Sequence, residues 1–141
     1  MPTEHISAKE FRITQGLSVK DVAEVKPKGV MNKWEQEYAN LLSACLMAGI
    51  IDTFDYEPYS FIMSAKPKCS YLPDFLVSTN EGDKIVIEVK GFRREKDKIR
   101  FLWAAKDNPE IRFIMVTKKD GAWVAMYDIN KEAARLPLEL L

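Results

Sequence analysis

The sequence predicts an α+β domain with an α/β-type core, a central mixed β-sheet flanked by helices. Three observations lead there. Apolar residues recur at helical spacing between Trp34 and Cys45. Short runs rich in β-branched and aromatic residues, such as Phe75-Leu76-Val77 and Ile85-Val86-Ile87, are bounded by turn signals. A second amphipathic stretch follows them and precedes two further strand-like runs, giving the order helix, three strands, helix, two strands.

The first helix is expected from about Asn32 to Ala48. Asn32 followed by Glu35 approximates a capping box, and Gly49 supplies the stop. Trp34, Tyr38, Leu41, Leu42 and Cys45 define its buried stripe. Thr53–Tyr59 and Ser60–Ser64 read as strand material around Pro58, and Lys66-Pro67-Lys68 as a turn. Tyr71–Ser78 and Lys84–Lys90 form a hairpin around Asn80-Glu81-Gly82-Asp83. Lys96 to about Lys106 reads as the second helix, with Ile99, Leu102 and Trp103 facing inward, and Asn108-Pro109 stops it. Ile111–Thr117 is a buried strand, and Lys118-Lys119-Asp120-Gly121 turns into a last strand, Ala122–Ile129. Residues 1–31 are expected to form an N-terminal arm, with Phe11, Ile13, Leu17 and Val22 available for a dimer contact. Residues 32–141 form the main domain.

Composition narrows the function classes. The chain has 141 residues, 47% of them apolar, which suits one domain with one core. No apolar stretch reaches the length of a membrane span, and the N-terminus lacks a signal-peptide pattern, so an intracellular, cytoplasmic protein is expected. Two cysteines are too few for a disulfide framework. His5 is the only histidine, which excludes Ser–His and Cys–His nucleophilic mechanisms. The formal net charge is zero, but Lys90 to Lys106 carries seven basic residues against two acidic ones, Glu95 and Asp97. Arg93, Arg94, Lys96, Lys98 and Arg100 in that stretch are candidates for a phosphate track on DNA.

The chemistry concentrates in Tyr71-Leu72-Pro73-Asp74-Phe75 and, after thirteen intervening residues from Asp74, in Glu88-Val89-Lys90. Alternation along a strand sends Glu88 and Lys90 to one face and Ile85, Ile87 and Val89 to the other. Two carboxylates and an ammonium then meet at the open end of a hairpin. Such a group is costly to bury unless its charges compensate one another or bind an ion. Oxygen-only ligands suit Mg²⁺ or Mn²⁺, and a lysine beside a hard cation suits attack on a phosphodiester.

Pro73-Asp74, the interval and Glu88-x-Lys90 together resemble the PD-(D/E)xK nuclease superfamily. The resemblance implies a restriction-endonuclease-like core. It implies metal binding by Asp74, Glu88 and the Val89 carbonyl, and a Lys90 that positions or activates water. Many members place one more glutamate on the first core helix, as a catalytic and metal-binding group. Glu35 and Glu37 compete for that role. Glu35 is favoured, because Met31-Asn32-Lys33-Trp34-Glu35-x-x-Tyr38-Ala39-x-x-Leu42 resembles the opening helix of phage-encoded nucleases with this core. Across roughly residues 31–128 the chain is also similar to phage Holliday-junction resolvases of the endonuclease I type. The expectation is therefore a Mg²⁺-dependent endodeoxyribonuclease that resolves four-way or otherwise branched DNA as a homodimer, in the host cytoplasm if phage-encoded. The competing expectations are a nicking, transposon-end or restriction-type endonuclease, and a DNA-binding module that keeps the fold without cutting.

Overall fold

The computed structural model describes residues 29–91 and 95–141, and within the second segment the side chains of Glu95 and Lys96 are not described. Helix α1 (Lys33–Met47) is followed by β1 (Thr53–Tyr56), β2 (Phe61–Ala65), β3 (Lys68–Tyr71), β4 (Phe75–Ser78) and β5 (Lys84–Val89). Helix α2 (Glu95–Asp107) leads to β6 (Arg112–Lys119) and β7 (Ala122–Ile129), and two short 3₁₀ turns close the chain. Five strands form one mixed sheet in the order β1-β4-β5-β6-β7, while β2 and β3 pair separately as a small hairpin. All pairings are antiparallel except β5 with β6, whose parallel register is bridged by α2. This is the α+β fold with a central mixed sheet that the sequence predicts.

Each face of the sheet has its own core. Ile85, Ile87 and Val89 of β5, with Phe75 and Val77 of β4, pack against Tyr38, Leu42 and Cys45 of α1. Leu76, Val86, Phe113 and Met115 on the opposite face pack against Phe101, Ala104 and Ala105 of α2 and against Phe61 and Tyr71 of the small hairpin. The sheet is thus covered on both sides.

The predicted α1 boundaries hold within a residue. Asn32 Oδ1 accepts the Glu35 N–H at 2.8 Å, and the Asn32 N–H donates to Glu35 Oε1 at 3.1 Å, which completes the capping box. Gly49, at φ +74°, takes the left-handed conformation that ends the helix. Trp34 and Leu41 lie at the margin of the stripe rather than inside it, and Ala39 is buried.

Three predictions need correction. The strand predicted over Tyr71–Ser78 is two strands of different sheets, because Leu72-Pro73 interrupts the ladder and Pro73 has no N–H to donate. The strand predicted over Thr53–Tyr59 stops at Tyr56, and Glu57 follows at φ +47°. In α2, Ile99 and Trp103 are exposed at 57% and 39%, and the helix buries Phe101, Ala104 and Ala105 instead. Apolar content alone misplaces the face. Two alanines allow close approach of the helix, and the Phe101 ring fills the space beside Tyr71 and Phe113, with centroids 5.9 and 5.7 Å away.

The N-terminal arm expected over 1–31, with its dimer contact, lies outside the described residues except for Gly29–Met31. Met31 packs against the α1-side core, and the Gly29 N–H donates to Glu57 Oε1.

Candidate active site

Asp74 stands immediately before β4 and Glu88 is the fifth residue of β5, so the antiparallel β4–β5 pairing brings them to the same end of the hairpin. The ladder of paired residues ends at Phe75 and Ile87, and side chains continue it. Asp74 Oδ2 accepts the Val89 N–H at 2.9 Å, and the Asp74 backbone N–H donates to the Glu88 carboxylate. The two acids are held by each other's strand. Both are buried, at 8% and 7% exposure, which is unusual for carboxylates.

Glu88 sits on the α2 face of the sheet, opposite its neighbours Ile87 and Val89 in the α1-side core. Tyr71, at the end of β3, donates its hydroxyl to Glu88 Oε1 at 2.5 Å. Lys90 Nζ approaches Glu88 Oε2 at 3.2 Å and Asp97 Oδ2, in the first turn of α2, at 3.5 Å. Burial raises the Glu88 carboxyl above its ordinary range, against the opposing influence of Lys90, Tyr71 and the Asp74 backbone. Burial lowers the Lys90 ammonium, but Glu88, Asp97 and Asp74 outweigh it and hold Lys90 above the usual lysine range. Burial and the adjacent Glu88 and Asp74 push the Tyr71 phenol well up, so it remains a donor.

The Lys90 main chain is fixed by β6. Its N–H donates to the Val116 carbonyl at 2.8 Å, and its own carbonyl accepts the Thr117 hydroxyl at 2.8 Å. Beside these groups opens a cleft of about 260 Å³, lined by Ser70, Tyr71, Leu72, Glu88, Lys90, Asp97 and Arg100.

Glu35 is buried at 4% exposure but occupies a different position. Its Oε1 receives both the Asn32 N–H and the Tyr56 hydroxyl, the latter at 2.9 Å. Burial first, then the charges of Glu35, Glu57 and Asp74, push the Tyr56 phenol far up. Glu37 lies on another flank, ion-paired with Lys118 of β6. The two helix glutamates therefore have different partners, Asn32 and Tyr56 for Glu35 and Lys118 for Glu37. Among the described residues, no three histidine, cysteine or acidic side chains converge on one ion position. Asp74 and Glu88 supply buried carboxylates at one end of the β4–β5 hairpin.

Of the predicted DNA-contacting residues, Arg100 lines the cleft, while Lys98 lies over the Tyr127 ring at 5.8 Å to the centroid. Lys96 lies in α2 with its side chain outside the description, and Arg93 and Arg94 lie outside the described residues.

Sequence reasoning misses Tyr71, Thr117 and Asp97 as members of the site. Tyr71 is visible three residues before Asp74, but only the break at Pro73 turns it toward Glu88. Thr117 arrives through the parallel β5–β6 pairing, which no local pattern encodes. Asp97 reads in the sequence as a dilution of a basic run rather than as a partner of Lys90.

Comparison of the chain with family models, with curated proteins and with solved structures finds no significant match. Among the described residues, no helix is long and apolar enough to cross a membrane.

Proposed function

We propose that this chain is a metal-dependent endodeoxyribonuclease hydrolysing phosphodiester bonds. The observation that carries the reading is the mutual seating of Asp74 and Glu88, with Lys90 beside them in a polar cleft. Buried acids that no apolar function requires are costly to keep, and a cation accounts for that cost. Asp74, Glu88 and the Val89 carbonyl would hold Mg²⁺ or Mn²⁺, with Glu35 as the candidate further carboxylate. A divalent ion there supplies Lewis-acid stabilisation and a water of lowered pKa. Lys90, kept protonated by its carboxylates, opposes charge on the scissile phosphate instead of accepting a proton. Tyr71 fixes the rotamer of Glu88, and Arg100 offers a guanidinium to a neighbouring phosphate.

The finer reading is a junction resolvase acting as a homodimer, which rests on the resemblance to phage resolvases. Resolution needs two cuts, and a two-fold dimer supplies two sites. The ion pair of Glu88 with Lys90, which compensates the buried carboxylate without a metal, favours one second reading, a DNA-binding module that keeps the fold without cutting. A nicking assay on supercoiled plasmid, with Mg²⁺, with Ca²⁺ and with EDTA, decides between them. Cutting is expected with Mg²⁺ or Mn²⁺ and little with Ca²⁺, which coordinates more loosely. Cutting undiminished by EDTA overturns the metal assignment. Binding without cutting under every metal supports the second reading. Four-way junction, flap and linear duplex, cut in parallel, test the substrate class, and light scattering tests the dimer.

A further inference from the structure

Lys90 is held by two carboxylates that differ in kind. Glu88 is 10% exposed at its side chain and fixed by Tyr71, whereas Asp97 is 34% exposed and sits in the first turn of α2 at the longer distance, 3.5 Å. Arg100, one turn further along α2, lines the same cleft. The charges lining that cleft cancel, with Glu88 and Asp97 opposing Lys90 and Arg100. It therefore has no net pull on an anion while Asp97 engages Lys90.

We infer that Asp97 is a stand-in anion: it occupies Lys90 in the free protein and gives way to a backbone phosphate, which then lies between Lys90 and Arg100. The inference rests on the nuclease reading and names the subsite for the phosphate. Glu88 keeps its hold on Lys90 throughout, so the ammonium changes one partner without losing its place. A turn of the Asp97 side chain into solvent suffices, because it is already part exposed. An acid in the first turn of a helix also complements the helix dipole, and the experiment must separate that role from this one.

The full-length chain is titrated against fluorescent four-way junction and linear duplex in EDTA, where cutting is not expected, and anisotropy reads the affinity. Asp97→Asn is expected to bind about fivefold tighter than the parent, the scale of one partly exposed ion pair. In a Lys90→Ala background the same change is expected to give less than about a twofold gain, because the partner that Asp97 competes for is gone. Equal gains in both backgrounds would show a general charge effect and overturn the inference. So would unchanged affinity with a lowered melting temperature, the outcome of a purely helix-terminal role. If neither the parent nor the variant binds either nucleic acid, in EDTA or in a parallel titration with Ca²⁺ and no EDTA, the nuclease reading itself fails. Parent binding that Asp97→Asn leaves unmoved defeats only the stand-in role.

Discussion

The Tyr71 hydroxyl donates to Glu88 Oε1 at 2.5 Å across the gap between the small hairpin and the main sheet. One carboxylate oxygen is thereby committed, and Oε2 faces Lys90. Tyr71→Phe removes a buried donor and strands that oxygen, a cost of about 1–3 kcal/mol in stability. Cleavage is expected to fall about tenfold or more, with a higher Mg²⁺ concentration at half-maximal rate, since groups that orient ligands act at this scale. A purely structural Tyr71 would lower the melting temperature and leave the Mg²⁺ titration unmoved.

Glu88→Gln is expected to cost roughly 10²-fold or more in cleavage while leaving the protein at least as stable at pH 7. The sign follows from burial, which raises the Glu88 carboxyl. A raised folded pKa favours the protonated form, so its contribution is complete below the unfolded value, about pH 4.3. That contribution is lost as pH rises through the higher folded value. Glutamine mimics the protonated acid, and Lys90 keeps Asp97 as a partner. Thermal unfolding in EDTA should therefore show the variant equal or higher at pH 7, with the difference closing near about pH 4. A clearly less stable variant at pH 7 would contradict the burial argument.

Asp74→Asn should also lower cleavage by roughly 10²-fold or more through lost charge at the metal pair. The amide oxygen still accepts the Val89 N–H, so circular dichroism and the unfolding midpoint should change little. Near-parental cutting by this variant would count decisively against the mechanism.

Glu35→Gln and Glu37→Gln form an internal comparison. The amide oxygen introduced by Glu35→Gln can still accept from Asn32 and Tyr56, so the fold should persist while cleavage drops about tenfold. Glu37 serves a partly exposed ion pair with Lys118, whose loss costs about 0–1 kcal/mol and should leave cleavage intact. Activity lost only on changing Glu37 would reverse the assignment.

Phe101→Ala should destabilise by about 3–5 kcal/mol, because the ring is fully buried against Tyr71 and Phe113. Ile99→Ala, on the exposed side of α2, should stay within about 0.5 kcal/mol. Chemical denaturation of the two variants side by side tests the face of α2 that the structure assigns.

Much of the architecture is legible in the sequence because it is written locally. The capping box at Asn32 and Glu35 and the stop at Gly49 are short-range signals, and so is the alternation that sends Glu88 and Lys90 away from Ile87 and Val89. Asp74 and Glu88 fall at the same end of the hairpin because a short turn and two paired strands suffice to put them there. What stays hidden is set over distance. The α2 face is decided by the rings of Tyr71 and Phe113, not by the helix's own hydrophobicity. The contacts of Lys90 with Thr117 and Asp97 depend on how a crossover helix lands. The bond from Tyr56 to Glu35 Oε1 joins β1 to the start of α1, a contact that no local pattern encodes.

Strand β5 separates its tasks by parity, with Ile85, Ile87 and Val89 on one side and Val86 and Glu88, followed by Lys90, on the other. Exchanging one side chain within either set leaves the other set where it was. Adding or removing a single residue between Lys84 and Glu88 does not: it drives two charges into the α1-side core and turns Val89 toward the cleft. Length variation in this chain therefore belongs in the turns on either side of β5, and the spacing within the strand is as strict a requirement as the identity of the acid.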